Sequence, residues 1–279
     1  MTPLPNYEIY AIKYAEHHRM SKDNFLGGDA HDHPMPLDYY IWVIRHERQV
    51  WVFDTGFSPE EAKSRGRDFK RCPSEGLRAL GIDPDAVTDV IISHMHYDHC
   101  GNNQLFQKAK FHLQERELQF ATGKCMCHKS MRYPFTLSDV LTMVERVHTD
   151  RAVFHDDAEE INPGLSVHHV GGHTAGLQIL RVHTARGWVV LASDASHFYA
   201  NMENQRLFPI IYNTVDMLEG YKTCYRLASS TEHVIPGHDP LVMARYPSPR
   251  LELDGWIARL DAPPKTMSTQ GVERLAGNV

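Results

Sequence analysis

The chain has 279 residues, 42% hydrophobic and 23% charged, with a formal net charge of −6. These are ordinary globular values that allow a sizeable core, and they exclude the basic footprint of a nucleic-acid binder. No apolar run approaches the ~18 residues of a membrane span, and five cysteines, an odd number, argue against a disulfide framework.

The start, MTPLPNYEIYAIKY, lacks a basic stretch followed by an apolar one, so it does not read as a secretory signal. The expectation is a cytoplasmic protein, monomer or homodimer, with a small-molecule partner, no nucleic acid and no membrane. In chain order, residues 7–14 alternate as a strand, and 39–44 and 49–56 form a hairpin that ends in Asp54-Thr55-Gly56. Residues 74–82 make a short helix closed by Gly81, and 87–93 make a buried strand. A strand over 108–113 leads into the helix QERELQFAT, and 138–147 form a helix capped by serine. Strands follow over 165–170, 177–183 and 188–193, then an amphipathic helix over 214–229 and a last strand over 232–236. No flexible linker divides the chain, so residues 1–279 are expected to form a single domain. The tail from about 262 to 279 has little apolar content and reads as an extension.

The densest chemistry lies in SHMHYDHCGN, residues 93–102, directly after the apolar run Val90-Ile91-Ile92. It holds His94, His96, Asp98 and His99 within six positions. Divalent metals of the zinc type take neutral imidazole and carboxylate at roughly 2.0–2.2 Å. His94 and His96, two apart, can aim at one ion, whereas Asp98 and His99 follow a bend and point elsewhere. Two neighbouring ions, about 3.5–4 Å apart in such hydrolytic sites, suit that layout better than one. Six positions cannot complete two coordination shells. Three further candidates also follow apolar runs: His173 in GGHTAG, Asp194 after WVVLAS and His238 in PGHD.

Taken together, HMHYDH, GGHTAG, SDAS and PGHD resemble the metallo-β-lactamase superfamily across most of the chain, from about Asp54 to Asp239. The resemblance implies an α+β fold of αβ/βα type, with two mixed β-sheets packed together and flanked by helices. It implies His94, His96 and His173 on one metal, Asp98, His99 and His238 on a second, and Asp194 bridging them. Two divalent ions are expected, zinc first, with Fe, Mn or Co also suited to mixed His and carboxylate ligands. A water shared by two cations is acidified towards neutral pH and supplies the nucleophile. Asp98 is expected to act as a ligand and as a proton shuttle.

Within the superfamily, YYIWVI, VWVFDTGF, SHMHYDHCGN and the DAS segment before GHD most resemble N-acyl-homoserine lactone lactonases. That resemblance implies a hydrolase that opens the lactone by attack of a metal-bridging hydroxide. Such lactonases often carry a tyrosine three residues after the bridging aspartate, and this chain has His197 there, in Asp194-Ala195-Ser196-His197-Phe198-Tyr199. Either His197 or Tyr199 is then a candidate donor to the substrate carbonyl, or both simply pack nearby. The departure keeps another lactone, an ester or a β-lactam open as the substrate. The loop 24–40, with Phe25, Leu26, Met35 and Leu37, is a candidate wall for an acyl chain or a dimer arm. His17, His18, His112, His128, His148 and His155 read as surface or packing residues, and Cys125 and Cys127 as thiols without a metal role.

Overall fold

The structure is a computed structural model that describes residues 3–265. The first sheet takes β1 (Glu8–His17), β2 (Leu37–His46), β3 (Gln49–Phe53), β4 (Asp68–Phe69), β5 (Asp89–Ile91), β6 (Lys110–Gln114) and β7 (Ala152–His155). The second takes β8 (Ala158–Asn162), β9 (Leu165–His169), β10 (Gln178–Thr184), β11 (Gly187–Ser193) and β12 (Val234–Pro236), before β13 (Ile257–Arg259) returns to the outer edge of β1. Both sheets are mixed. β1, β2 and β3 run antiparallel, then β3, β5, β6 and β7 run parallel. β8 to β11 are antiparallel, and β12 joins β11 in parallel. This is the two-sheet sandwich expected from the sequence motifs.

Side chains alternate across each strand, so successive residues enter different cores. Ile9 and Ala11 of β1, with Tyr40, Trp42 and Ile44 of β2, face Leu180, Val182, Val189 and Leu191 of the second sheet. The intervening Tyr10, Ile12, Tyr39, Ile41 and Val43 face helices on the outer side. Ile179, Val190 and Ala192 do the same for the second sheet, against Met217, Tyr221 and Cys224. Four layers result.

The helices are α1 (Pro59–Arg65), α2 (Pro73–Ala79), α3 (Tyr97–Cys100), α4 (Glu115–Thr122), α5 (Lys129–Arg132), α6 (Leu137–His148), α7 (Tyr199–Glu203), α8 (Thr214–Leu227) and α9 (Leu241–Arg245). Among the described residues no helix is long and apolar enough to cross a membrane. α1 is set by local signals in the sequence: Ser58 Oγ accepts from Glu61 N, Pro59 fills the first turn and Gly66 closes it at φ 64°. α6 starts one residue earlier than expected and has no serine cap. Thr136 stands at its N-cap, but its hydroxyl donates to Glu61 Oε1 at 2.8 Å instead of capping the helix. The short strands β7 and β8 escaped the sequence reading because neither shows clear alternation.

One edge matters for function. The parallel pairs β3/β5 and β11/β12 all end on the same side of the sandwich, and the polar motifs follow those ends.

Candidate metal centre

β5 delivers Ile92 and Ser93, and then the four-residue helix α3 turns the chain. His94 and His96 precede the turn, and Asp98 and His99 lie within it. Asp54 follows β3 in the left-handed region at φ 64°, and Ser193 ends β11 at φ 44°. Such backbone strain persists only where the surroundings hold it. Here Asp54 Oδ1 accepts from Ser93 N at 2.7 Å, its Oδ2 accepts from Ser93 Oγ at 2.8 Å, and Ser193 Oγ donates to Ser93 Oγ at 2.9 Å. These bonds tie the two sheet edges together beneath the histidines. Gly237 must be bare, since a Cβ there would lie 2.7 Å from the Ser193 carbonyl and 2.8 Å from Asp194 Oδ1.

The seven candidate ligands from four separate segments converge. His94, His96 and His173 form one buried group and Asp98, His99 and His238 another, with Asp194 between them. Asp194 Oδ2 lies 3.2 Å from His173 Nε2 and 3.8 Å from His94 Nε2. Its Oδ1 lies 3.0 Å from His238 Nε2 and 3.3 Å from His99 Nε2. One carboxylate oxygen thus faces each group.

Outer hydrogen bonds set which ring nitrogen points inward. His173 Nδ1 donates to the Ile210 carbonyl at 2.7 Å and His238 Nδ1 to the Asp38 carbonyl at 2.9 Å. His99 Nδ1 donates to Asp54 Oδ2 at 2.8 Å, and His94 Nδ1 to Ser93 Oγ at 3.0 Å. Their Nε2 atoms are left for the interior. His96 is the exception: its Nδ1 faces inward, 3.1 Å from His94 Nε2 and 2.8 Å from His173 Nε2.

Three imidazole nitrogens crowded at 2.8–3.1 Å cannot satisfy one another as neutral rings. His99 Nε2 and Asp194 Oδ1 are fully buried and have no hydrogen-bond partner among the described residues. Tetrahedral ligands at about 2.0–2.1 Å from a zinc ion stand roughly 3.3 Å apart, and the spacings here, 2.8–3.8 Å, bracket that value. Burial pulls the His99 imidazole down, but Asp194, Asp98 and Asp54 outweigh it and raise it well above its ordinary value. His238 is raised in the same way by Asp194. Burial and neighbouring rings push His94 and His96 well down into the neutral, ligating form. The cluster calls for cations, and divalent ions fit it.

His197 lines the same cavity. Its Nε2 lies 3.0 Å from Asp194 Oδ2, and its ring stacks on Phe208 at 3.5 Å between centroids. Burial pushes its pKa down to about 3. Tyr199, the other donor candidate, is not brought to the cavity. Its backbone N–H donates to Asp239 Oδ2, and its ring turns into the core between the sheets with the Arg245 guanidinium 4.1 Å above it. Of the 24–40 loop, Leu37 lines the cavity, Leu26 stands at a neighbouring surface hollow, and Phe25 is buried beneath Arg206. His17, expected to be bland, also lines the cavity.

Sequence reading overlooked Glu117. Fully buried on α4, it accepts from Met95 N at 2.8 Å, Thr174 Oγ1 at 2.7 Å and Gly176 N at 3.0 Å. It thereby locks the His94–His99 segment to the His173 loop. Gly176 allows this approach, since a Cβ there would sit 2.2 Å from Glu117 N. The available signal was a carboxylate sharing one helix face with Phe120 and Ala121.

Residues 35–242 match the model of the Metallo-beta-lactamase superfamily. The chain belongs to that superfamily. Among superfamily relatives, the N-acyl homoserine lactonase AttM of Azorhizobium caulinodans is 26% identical over 242 residues, 76% of this chain and 85% of that protein. N-acyl homoserine lactonase AiiA of Bacillus thuringiensis subsp. kurstaki is 28% identical over 185 residues, 61% of this chain and 68% of its own. A solved quorum-quenching N-acyl homoserine lactone lactonase superposes with a TM-score of 0.68 at 21% identity, over 86% of this chain and 94% of that one. AidC, a dizinc quorum-quenching lactonase solved with N-hexanoyl-homoserine, superposes at 0.67 with 14% identity, over 95% and 97%. These superpositions establish the shared sandwich.

Proposed function

We propose that this protein is a dinuclear metal-dependent hydrolase that opens N-acyl homoserine lactones. The observation that carries the reading is Asp194, with one oxygen towards each of two buried ligand groups whose inward nitrogens crowd around it. The names of the relatives at 26–28% identity supply the substrate class. His94 Nε2, His96 Nδ1 and His173 Nε2 hold one ion, and Asp98, His99 Nε2 and His238 Nε2 hold the other. Zinc is the ion of choice for this donor set.

When bound, two such ions acidify a shared water and polarise the scissile carbonyl. The protein's own groups do the rest. Asp194 keeps both ligand groups in register. Asp98, on the cavity wall, takes the proton released on attack and returns it to the ring oxygen as the C–O bond breaks. His197 acts as a positioning residue. A neutral imidazole carries one N–H, and the contact with Asp194 uses it, so none is left for the substrate carbonyl. A hollow of about 290 Å³ lined by Phe120, Met131, Ile210 and Ile211 shares His96 and His173 with the metal cavity and takes the acyl chain. Residues 3–265 act as one domain, and the extension expected from about 262 to 279 lies almost wholly outside the described residues. The free thiols of all five cysteines support a reducing compartment.

Zinc-loaded protein given hexanoyl- and dodecanoyl-homoserine lactone should yield the ring-opened acids, a gain of one water by mass spectrometry. Turnover of nitrocefin or simple esters with both lactones untouched would move the protein to another hydrolase class.

A further inference from the structure

The cavity over the metal ligands is small, about 70 Å³, and one of its walls is cationic. Arg19, Arg65 and Arg67 line it with His17, while Asp98 and Asp194 are its only carboxylates among the described residues. Arg65 is already satisfied. It pairs with Glu61 and donates to the Tyr133 carbonyl at 2.9 Å. Arg19 and Arg67 have no carboxylate within 4.0 Å among the described residues: Arg19 donates to the Asp23 backbone carbonyl, and Arg67 has only neutral partners.

The fold builds this arrangement with care. Antiparallel pairing of β1 with β4 sets Glu16 opposite Asp68, and the next residues outward, His17 and Arg67, meet through their side chains. Arg67 Nη1 donates to His17 Nε2 at 3.0 Å and to the Arg65 carbonyl at 2.7 Å, and its Nε donates to the Tyr97 hydroxyl at 3.0 Å. A guanidinium only donates, so His17 accepts as a neutral ring and its proton sits on Nδ1. The Nη2 group of Arg67 has no acceptor among the described residues. A planar fork clamped on three sides with its last arm free is a rigid receptor for an oxyanion. Acyl homoserine lactones are uncharged and give these two cations no counter-charge in contact.

We propose that Arg67 and Arg19 bind an oxyanion carried by the substrate, so that the preferred substrate is an anionic lactone or ester, bearing a carboxylate or a phosphate besides the bond that is cleaved. The proposal rests on the metal-dependent hydrolase reading above and shifts its substrate preference from neutral acyl homoserine lactones to charged lactones or esters.

The test uses zinc-loaded full-length protein and a matched pair of lactones, 5-oxotetrahydrofuran-2-carboxylate and its carboxamide, with a third lactone bearing a phosphomonoester at the same carbon. kcat/KM is measured for each, and the ring-opened acids are titrated by calorimetry. The expected result is at least a tenfold preference for a charged lactone over the amide, carried mainly by KM, and the same preference in product affinity. The carboxylate and phosphate arms show which oxyanion is read. In Arg67→Gln and Arg19→Gln the ratio of charged to neutral should fall towards one, and Arg67→Lys should restore part of it. Equal kcat/KM and equal product affinity in the unmodified protein would overturn the proposal and leave the lactonase reading standing, whether or not the variants fold. If no lactone is opened but the dianionic acid still binds tighter in an Arg67-dependent way, the anion site stands and the lactonase reading falls.

Discussion

Two buried clusters of histidine and carboxylate lie in this molecule, and they behave oppositely. In the first sheet, His112 of β6 and His155 of β7 stack with their rings 5.2 Å apart, and His112 Nδ1 lies 3.0 Å from His155 Nε2. The outer nitrogens reach Asp89 at 3.1 Å and Glu159 at 2.7 Å. Every ring nitrogen there has a partner within hydrogen-bond distance. At the strand ends, by contrast, three ring nitrogens crowd one another, and buried His99 Nε2 and Asp194 Oδ1 have no partner among the described residues. Burying polar groups is tolerated when they are paired, so the closed cluster is structure and the open one calls for ions. Counting histidines does not separate the two; counting unmet hydrogen bonds does.

The largest expected effect breaks the open cluster. His96→Ala or Asp194→Ala should lower kcat/KM by at least about a thousandfold, on the scale of losing essential groups, and metal content by mass spectrometry should drop from two ions per chain. Full turnover in either variant ends the proposal. Chelation comes next. Stripping the ions should abolish turnover and lower the thermal midpoint, because ions that bind only the folded chain stabilise it by mass action. An unmoved midpoint on zinc titration would contradict that.

The supports of the open cluster should matter less than its ligands. Asp54→Asn removes the carboxylate that orients His99 and the Ser93 segment, and should cost about 10–100-fold in metal affinity. A competition assay with a chromogenic chelator reads this. The closed cluster gives the contrasting result. His112→Ala leaves a buried His155 nitrogen unpaired and should cost about 1–3 kcal/mol in urea unfolding, with kcat within about twofold. A large loss of turnover at unchanged stability would blur the distinction between the clusters.

The smallest effect concerns a histidine outside both clusters. Burial first, then Arg181 and Arg226, push His168 down to about 4. The unfolded chain takes up this proton near pH 6.5 and the folded chain only near 4, so the stability it contributes is full above 6.5 and is lost as pH falls towards 4. His168→Gln should flatten the thermal midpoint across that window, and an unchanged slope would count against it.

Much of this was legible before the fold was seen. Strong alternation marked β1, β2, β9, β10 and β11, and each polar motif directly followed an apolar run, which pointed the candidates to strand ends. Amphipathic spacing also announced α8, and the structure shows its start held by Asn213, whose side chain accepts from Val215 N and Asp216 N. Short elements such as β7, β8 and α7 were not readable, because their four or five residues show no clear period and take their form from neighbours. Tyr199 illustrates the same limit. Two residues beyond His197 in sequence, it turns into the opposite core because the first turn of α7 rotates it there.

The sequence by itself determined which side chains carry the chemistry and which segments are strands, since residue type and apolar period are local properties. Only the tertiary structure decided that Asp194 stands between two ligand groups, that His112 and His155 pair, and that Arg67 meets His17. Those are distances between residues as much as 144 positions apart, from His94 to His238, and they exist only once two sheets pack and their parallel strands end on a common edge.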